Sequence, residues 1–203
     1  MTPNRPITLY GYKLSGHSHR AELMLRLLGL PFAFEEVDIF AGAQNQDAFR
    51  KLNRFGAVPV IDDDGTVVPD SVAILVYLAG RYDADRAWLP TDWAKAAEVQ
   101  RWLSVAQNQV AHGPAAARVI QRFGVKRDLN RAQEIAAGLF KVLDAELEGK
   151  TFLVGDRPTI ADVALYSYVS VAPEGGIALE PYPAIRAWLA RVESLPGFER
   201  MPQ

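Results

Sequence analysis

The first part of the chain alternates short β-rich runs with segments whose apolar residues follow a helical pattern, which is typical of βαβ units. A β-rich run at 7–10 precedes a segment with apolar residues at helical spacing. These residues are Ala21, Leu23, Met24, Leu27 and Leu28, and the expected C-cap is Gly29. An extended run at 32–37 and a weaker helical pattern at 42–53 follow. The pattern therefore predicts strand, helix, strand and short helix in that order.

Residues 58–82 contain a predicted hairpin followed by a predicted helix. Two short β-branched runs flank an Asp-Gly pair at 64–65, and this arrangement is typical of a tight two-residue hairpin turn. Asp70 and Ser71 then open an apolar helix, in which Ser71 is the expected N-cap. The helix body at 72–82 is apolar nearly all round, so we expect one face to be covered by the sheet and the other by a second domain or a partner.

The rest of the chain has only helical patterns. Long helical segments are predicted at 93–111, 128–147 and 183–195, and Gly113-Pro114 is predicted to break the helix after the first one. Thr159 and Asp162 occupy the two positions of a capping box, with Asp in place of the usual Glu. The sequence therefore predicts an α/β domain at 1–84, a linker at 85–92 and an all-helical domain at 93–203.

Composition and charge exclude several classes of function. With 203 residues, of which 49% are hydrophobic and 23% charged, the chain can bury a good core. A net charge of −2 gives no basic footprint for nucleic acid. No apolar run approaches the ~20 residues of a membrane span, and the start has no apolar secretory segment, so we expect a cytoplasmic protein.

The chain contains no cysteine. This excludes disulfides, C-x-x-C redox chemistry and a cysteine nucleophile. Any thiol chemistry must therefore use a sulfur that the ligand brings. His17 and His19 could suggest a metal, but they enter a helix and have no third ligand nearby. We therefore expect no metal site and expect both residues to line the mouth of the pocket or to lie on the surface.

Four segments resemble the glutathione transferase family and cover nearly the whole chain. They are LYGYKLSGHSHRAELMLRLLGLPF, LNRFGAVPV, PDSVAILVYLAGRY and GDRPTIADVALYSYV. The serine after the first strand is similar to that of the cytosolic, serine-type, bacterial theta-like classes. The resemblance implies an α/β thioredoxin-like N-terminal domain that binds glutathione, an all-α helical C-terminal domain and a homodimer. Two residues depart from the family pattern: Arg54 replaces the usual proline and Ala57 the common glutamine.

Ser15 is the residue that the resemblance identifies as the activator of the glutathione thiol. Lowering a thiol pKa of ~8.5 by about two units requires roughly 2.7 kcal/mol. A hydroxyl hydrogen bond to a charged sulfur supplies about 1.5–3 kcal/mol, and a helix N-terminus about 0.3–1 kcal/mol. Position alone favours the role of a helix cap for Ser15, and the resemblance reverses this preference. Ser18 is a second hydroxyl in this loop, and Tyr10 is either the donor used by other classes or a core aromatic residue.

The resemblance also implies residues that bind the peptide. Val58-Pro59 is similar to the family's cis-proline, which leaves the backbone before it free to pair with the cysteinyl unit. Ser71 would bind the γ-glutamyl carboxylate and Asp70 would lie near the ligand's ammonium group, although both residues could simply cap a helix. The candidates for the glycyl carboxylate are Gln44, Asn45, and Lys51 or Arg54.

The second substrate is expected over the sulfur, with Tyr12, His112 and Arg118 as candidate contacts. The predicted activity is attack of a glutathione thiolate on an electrophilic, mostly apolar molecule, without a metal. The alternatives are peroxide reduction or isomerisation by the same thiolate, and a non-catalytic binding or scaffold protein of the same fold. Because both kinds of protein would retain the peptide site, only turnover discriminates between them.

Overall fold

The computed structural model describes residues 2–202, which form two compact units. One unit contains the chain up to Arg86 together with the residues from Leu195 onward, and the other is Ala87–Ser194. The C-terminal residues, which the sequence pattern assigned to the helical domain, thus group with the first unit. Their contacts explain this, because Glu199 pairs with Arg26 at 2.7 Å.

The first unit is a four-stranded mixed sheet with three α-helices. Its elements are β1 (Ile7–Gly11), α1 (Gly16–Leu27), β2 (Phe32–Glu36), a 3₁₀ turn (Ala43–Asn45), α2 (Asp47–Leu52), β3 (Val60–Asp63), β4 (Thr66–Pro69) and α3 (Ser71–Tyr82). The strand order is β2-β1-β3-β4; β1 runs parallel to β2 and antiparallel to β3, which is antiparallel to β4. This confirms the predicted α/β fold of the N-terminal part.

The hairpin between β3 and β4 forms as predicted. Asp64 and Gly65 both have positive φ, 52° and 90°, as a two-residue turn that follows the strand twist requires. The Gly65 N–H donates to the Asp62 carboxylate at 2.7 Å. This turn fixes the register in which Val60 pairs with Pro69, so the start of β3 lies beside the end of β4 and the start of α3.

Helix α3 is covered on one face only. Its buried apolar residues follow helical spacing: Ile74, Leu75, Leu78, Ala79 and Tyr82. On the other face Ala73 is exposed, and the side chain of Val76 remains 40% exposed. Within the single chain this second face is uncovered, and its coverage by a partner stays a prediction.

The second unit is helical. Its elements are α4 (Trp93–Val105), a π-helical segment (Ala106–Ala115), α5 (Ala116–Phe123), α6 (Leu129–Leu147), α7 (Ile160–Val169), a 3₁₀ turn (Ala172–Gly175) and α8 (Pro183–Glu193). The predicted break at Gly113-Pro114 is wrong, because the chain stays helical there. Pro114 has no N–H to donate, and the wider π-helical turns accommodate it. None of the helices within residues 2–202 is long and apolar enough to cross a membrane.

The start of α7 is a buried polar network centred on Asp162. Its Oδ1 accepts hydrogen bonds from the Leu153 N–H at 3.0 Å and from Trp188 Nε1 at 2.8 Å, and its Oδ2 accepts from the N–H of Thr159 at 2.8 Å. The Thr159 hydroxyl accepts from the Ala161 N–H, which completes the predicted capping box. Burial raises the pKa of Asp162 more than these hydrogen bonds lower it. Three separate parts of the second unit are thus joined at one carboxyl group.

Candidate functional site

Ser15 lies between β1 and α1 and is the N-cap of α1. Its Oγ accepts from the Ser18 N–H across a long 3.4 Å contact, while its own N–H donates to the Tyr12 carbonyl at 2.9 Å. Ser18 differs from it because its side chain is buried and its Oγ accepts from the Tyr12 N–H at 3.0 Å. The half-buried Ser15 hydroxyl acts as an acceptor in the cap, so its own O–H group can donate to a further group.

The two tyrosines near this loop have different surroundings. Tyr10, on β1, packs against the cluster of Val37, Phe49 and Val60, as a core aromatic residue would. The ring of Tyr12 is half-buried and meets the ring of Phe40 edge-on, with 5.6 Å between their centroids. Tyr12 therefore lies in the loop that leads to Ser15, whereas Tyr10 belongs to the core.

The start of α3 is capped by Asp70 rather than by Ser71, which corrects the expected N-cap by one residue. The Asp70 carboxylate accepts from the N–H groups of Val72 at 2.9 Å and Ala73 at 3.0 Å. Asp70 has φ of 78° and ψ of 129°, a sparsely populated conformation for a residue with a Cβ, and such strain clusters at functional sites. Ser71 is the first residue of the helix, so its N–H is among those without a carbonyl partner in the helix.

The Val58–Pro59 peptide bond is cis. The side chain of Asn53, which the sequence pattern did not single out, shapes the loop that precedes it. Its Nδ2 donates to the Ala57 carbonyl at 2.7 Å and its Oδ1 accepts from the Phe55 N–H at 3.0 Å. A buried asparagine at the end of a helix and before a turn could have indicated this role.

A contact between the helices ties the start of α1 to the start of α3. His17 Nδ1 lies 3.4 Å from the Oγ of Ser71, and Nη1 of Arg20 lies 3.0 Å from the same nitrogen and 3.4 Å from the same hydroxyl. Burial, and secondarily the charge of Arg20, lower the pKa of His17 to about 3, so His17 is neutral at neutral pH. The structure therefore brings the segment of Ser15 together with Ser71, two elements that the sequence predicted separately.

Arg20 was missed as a site residue. It precedes Leu23 and Met24 by three and four positions, so it falls on the buried face of α1, where an arginine is unusual. The same spacing could have identified it. His17 and His19 were expected at a pocket mouth or on the surface, but His19 is buried, and its Nε2 lies 2.9 Å from the carbonyl oxygen of Glu199.

The residues expected to bind the glycyl carboxylate contact their own segment. Gln44 Nε2 donates to the Ile39 carbonyl at 3.2 Å, and the Oδ1 of Asn45 accepts from Arg50 at 3.0 Å. Lys51 is exposed on α2 and lines a shallow depression together with Asp47, Arg50 and Arg54. Of the four candidates, the two amides are thus engaged within this segment, whereas Lys51 and Arg54 offer exposed charges.

Two candidates for second-substrate contacts lie in the second unit. His112 is exposed on the π-helical segment. Arg118 is only 1% exposed, and its Nε donates to the Glu174 carboxylate at 2.8 Å. This corrects the expectation for Arg118: it forms a buried ion pair with the 3₁₀ turn, and its charge is committed there.

The acidic and histidine side chains between residues 2 and 202 form no group of three or more that could hold a metal ion. The candidate site consists instead of four parts. They are the Ser15 hydroxyl at the start of α1, the start of α3 capped by Asp70, the loop that contains cis Pro59, and the contact between Arg20 and His17. Such a set can bind an anionic, peptide-like ligand and can stabilise negative charge near the start of α1.

Comparisons with known proteins identify the family. The model of the glutathione S-transferase N-terminal domain matches residues 14–81, and that of the C-terminal domain matches residues 108–196. Glutathione S-transferase 3 of Zea mays is 32% identical over 206 aligned positions, which cover 96% of this chain and 92% of the relative. The chain belongs to the glutathione S-transferase family.

Solved structures agree with this assignment. A glutathione S-transferase from Pseudomonas fluorescens superposes with a TM-score of 0.91 at 34% identity, covering 98% of this chain and 100% of that one. A glutathione transferase homolog from Drosophila mojavensis, solved with bound glutathione, gives a TM-score of 0.85 at 27% identity and covers 94% and 89% of the two chains. The predicted fold class and the predicted enzyme family are confirmed.

Proposed function

We propose that this glutathione S-transferase family member activates the thiol of glutathione at Ser15 for attack on an electrophilic, mostly apolar second substrate. The observation that carries the proposal is the half-buried Ser15 hydroxyl at the start of α1, whose segment contacts Ser71 through His17. In the reaction the thiol proton leaves to solvent. The sulfur then forms a bond to the electrophilic carbon. In a substitution the leaving group departs with its bonding electron pair; in an addition the electron pair of the broken bond moves to a neighbouring atom, which takes a proton from solvent.

The thiolate would be stabilised by the Ser15 hydroxyl and by the α1 N-terminus. A hydrogen bond to a charged atom contributes about 1.5–3 kcal/mol and a helix N-terminus about 0.3–1 kcal/mol. Their sum matches the roughly 2.7 kcal/mol that lowers a thiol pKa by two units. Because Ser15 caps α1 only through a 3.4 Å contact, donating to sulfur costs little of its structural role.

The peptide part of glutathione would bind along the start of β3 and of α3. The backbone of Val58, before the cis Pro59, would pair with the cysteinyl unit as an added strand. The hydroxyl and N–H of Ser71 would bind the γ-glutamyl carboxylate, and the exposed Asp70 would lie near the ammonium group. Lys51 would supply charge for the glycyl carboxylate, with Gln44 and Asn45 as weaker, uncharged candidates.

Tyr12 and His112 are our proposed contacts for the second substrate. Tyr12 is part of the loop that leads to Ser15, and its ring presents apolar surface to an apolar molecule. His112 presents an exposed imidazole in a π-helical segment, a feature that is frequent at functional sites.

The variant Ser15→Ala tests the proposal. We expect it to raise the pKa of the bound thiol by about 1–2 and to slow conjugation at neutral pH by roughly 10–100-fold, with glutathione affinity within several-fold of wild type. Thiolate absorbance across a pH titration and turnover of an electrophile panel measure both effects.

Tyr10→Phe is the matched control and is expected to leave the thiol pKa unchanged. An unchanged thiol pKa in Ser15→Ala would transfer the role to another residue. Binding of glutathione to the wild type without turnover of any electrophile would favour the non-catalytic alternative.

We also propose that the protein is a homodimer. Support comes from the uncovered face of α3, with its exposed Ala73 and Val76, and from the exposed large apolar side chains of Phe55 and Trp93. Light scattering coupled to size-exclusion chromatography would give twice the mass of the chain. A monomeric mass at micromolar concentration would contradict the proposal.

A further inference from the structure

The arginine on the buried face of α1 provides a full positive charge within the candidate site. Arg20 is 0% exposed, and its guanidinium remains protonated in proteins. One nitrogen of that group, Nη1, contacts both the imidazole of His17 at 3.0 Å and the hydroxyl of Ser71 at 3.4 Å. A charge in this position acts on the start of α3, and the low-dielectric surroundings strengthen its effect.

The chemistry of the three groups fixes the direction of their hydrogen bonds. A guanidinium can only donate, so His17 Nδ1 must present its lone pair and the imidazole must carry its hydrogen on Nε2. The Ser71 oxygen likewise accepts from Arg20. The contact of His17 Nδ1 with Arg20, at 3.0 Å, is shorter than its 3.4 Å contact with the Ser71 hydroxyl, so Arg20 is the main partner of this nitrogen.

The charge of Asp70 makes a nearby cation necessary for an anionic ligand. Its carboxylate already accepts the first N–H groups of α3, at Val72 and Ala73, and thereby offsets part of the helix dipole. A ligand carboxylate that reaches Ser71 therefore meets a helix start that already has a negative group. A buried positive charge behind the hydroxyl restores the preference for an anion there.

We propose that Arg20 is a specificity-determining residue that, through Ser71, selects ligands with a carboxylate at the start of α3. The inference rests on the proposed function, because the ligand is taken to be glutathione with its γ-glutamyl carboxylate at Ser71. Arg20 acts as a positioning residue that does not contact the sulfur. Its effect is on which tripeptide binds, while the intrinsic reactivity of the thiolate stays unchanged.

The test compares two ligands that differ only in the carboxylate. Glutathione and 4-aminobutyryl-cysteinyl-glycine, which lacks the α-carboxylate of the γ-glutamyl unit, are titrated by calorimetry into the wild type and into Arg20→Met. We expect the wild type to prefer glutathione and the variant to lose about tenfold of that preference. In turnover, KM for glutathione should rise while kcat changes little.

Two further variants separate positioning from packing. Arg20→Lys keeps the charge and should restore the preference to within about threefold of wild type. Arg26→Met, on the same helix, removes an arginine that pairs with Glu22 and Glu199, and it should leave the preference unchanged. If Arg20→Met does not fold, Arg20→Gln replaces it, because an amide can still donate to His17, and the same loss of preference is expected.

The outcomes distinguish this inference from the function on which it rests. If the Arg20 variants weaken both tripeptides equally, Arg20 only supports the fold and the inference is overturned, while the glutathione site stands. If the wild type binds neither tripeptide, the proposed function fails and the inference fails with it.

Discussion

The starts of α1 and α7 are both helix N-termini with a side-chain hydroxyl as cap, yet the two differ in how completely they are satisfied. At α7 the Thr159 hydroxyl and the Asp162 carboxylate together bond N–H groups from three segments, and both side chains are buried. At α1 the Ser15 hydroxyl forms one 3.4 Å cap contact and is only half-buried.

The difference indicates how a structural helix start can be told from a functional one. A capping box that is closed and buried offers no group to a ligand, so its whole effect is on stability. A helix start with a weak cap and partial exposure retains a donor and part of the helix dipole. Residue type alone does not reveal this, because serine and threonine are both among the preferred caps.

The largest expected effect is on the closed network. Asp162→Ala should lower the free energy of unfolding by about 3–5 kcal/mol, because Trp188 Nε1 and the Leu153 N–H would be left buried without their acceptor. Equilibrium denaturation measures the loss, with Asp156→Ala as the control at an exposed carboxylate. A loss below about 1 kcal/mol would show that the network is not what secures α7.

Acid is expected to destabilise the folded protein through His17. The folded pKa of His17 is about 3, below its ordinary value of 6.5. As pH falls below 6.5, the unfolded chain takes up a proton at this histidine and the folded chain does not. The contribution of His17 to the free energy of unfolding is therefore full above pH 6.5 and is lost progressively as pH falls to about 3.

Denaturation at a series of pH values checks this sign. The stability advantage of the wild type over His17→Asn should shrink steadily from pH 6.5 downward. His112→Asn, at an exposed position in the second unit, is the control for replacing a histidine outside the site. Parallel curves for the wild type and His17→Asn would place the acid sensitivity at another group.

The smallest expected effect compares the two caps directly. Thr159→Ala should destabilise the protein by about 1–2 kcal/mol, because its cap is buried, whereas Ser15→Ala should cost only about 0.5 kcal/mol. Both values come from the same denaturation experiment. An equal loss in the two variants would show that the two helix starts do not differ in how strongly they are capped.

The fold was predictable because its signals are local. Period-two runs, helical spacing and the Asp-Gly turn each lie within about ten residues, and the four-stranded sheet and helices follow them. The cap of α3 was wrong by one residue, since Asp70 and Ser71 are both good caps and only the backbone turn at Asp70 decides between them.

The candidate site was predictable only in part, because its contacts join distant residues. Ser71 meets Arg20 across 51 positions, and Arg118 finds Glu174 across 56. From the sequence alone, a charged side chain is expected to be exposed to solvent. For this reason Arg20 was missed, and Arg118 was predicted to contact the second substrate. The family resemblance supplied Ser15 and the peptide-binding residues, and their roles stay predictions until they are tested.

The C-terminal residues have a consequence for biosynthesis. Helix α1 leaves the ribosome well before Glu199 does, and its contacts from Arg26 and His19 to Glu199 close a loop of more than 170 residues. The first unit therefore cannot complete its own packing while the intervening helices are still being translated. Until then the side of α1 that carries His19 and Arg26 lacks its contacts with Glu199. Closing so long a loop is slow.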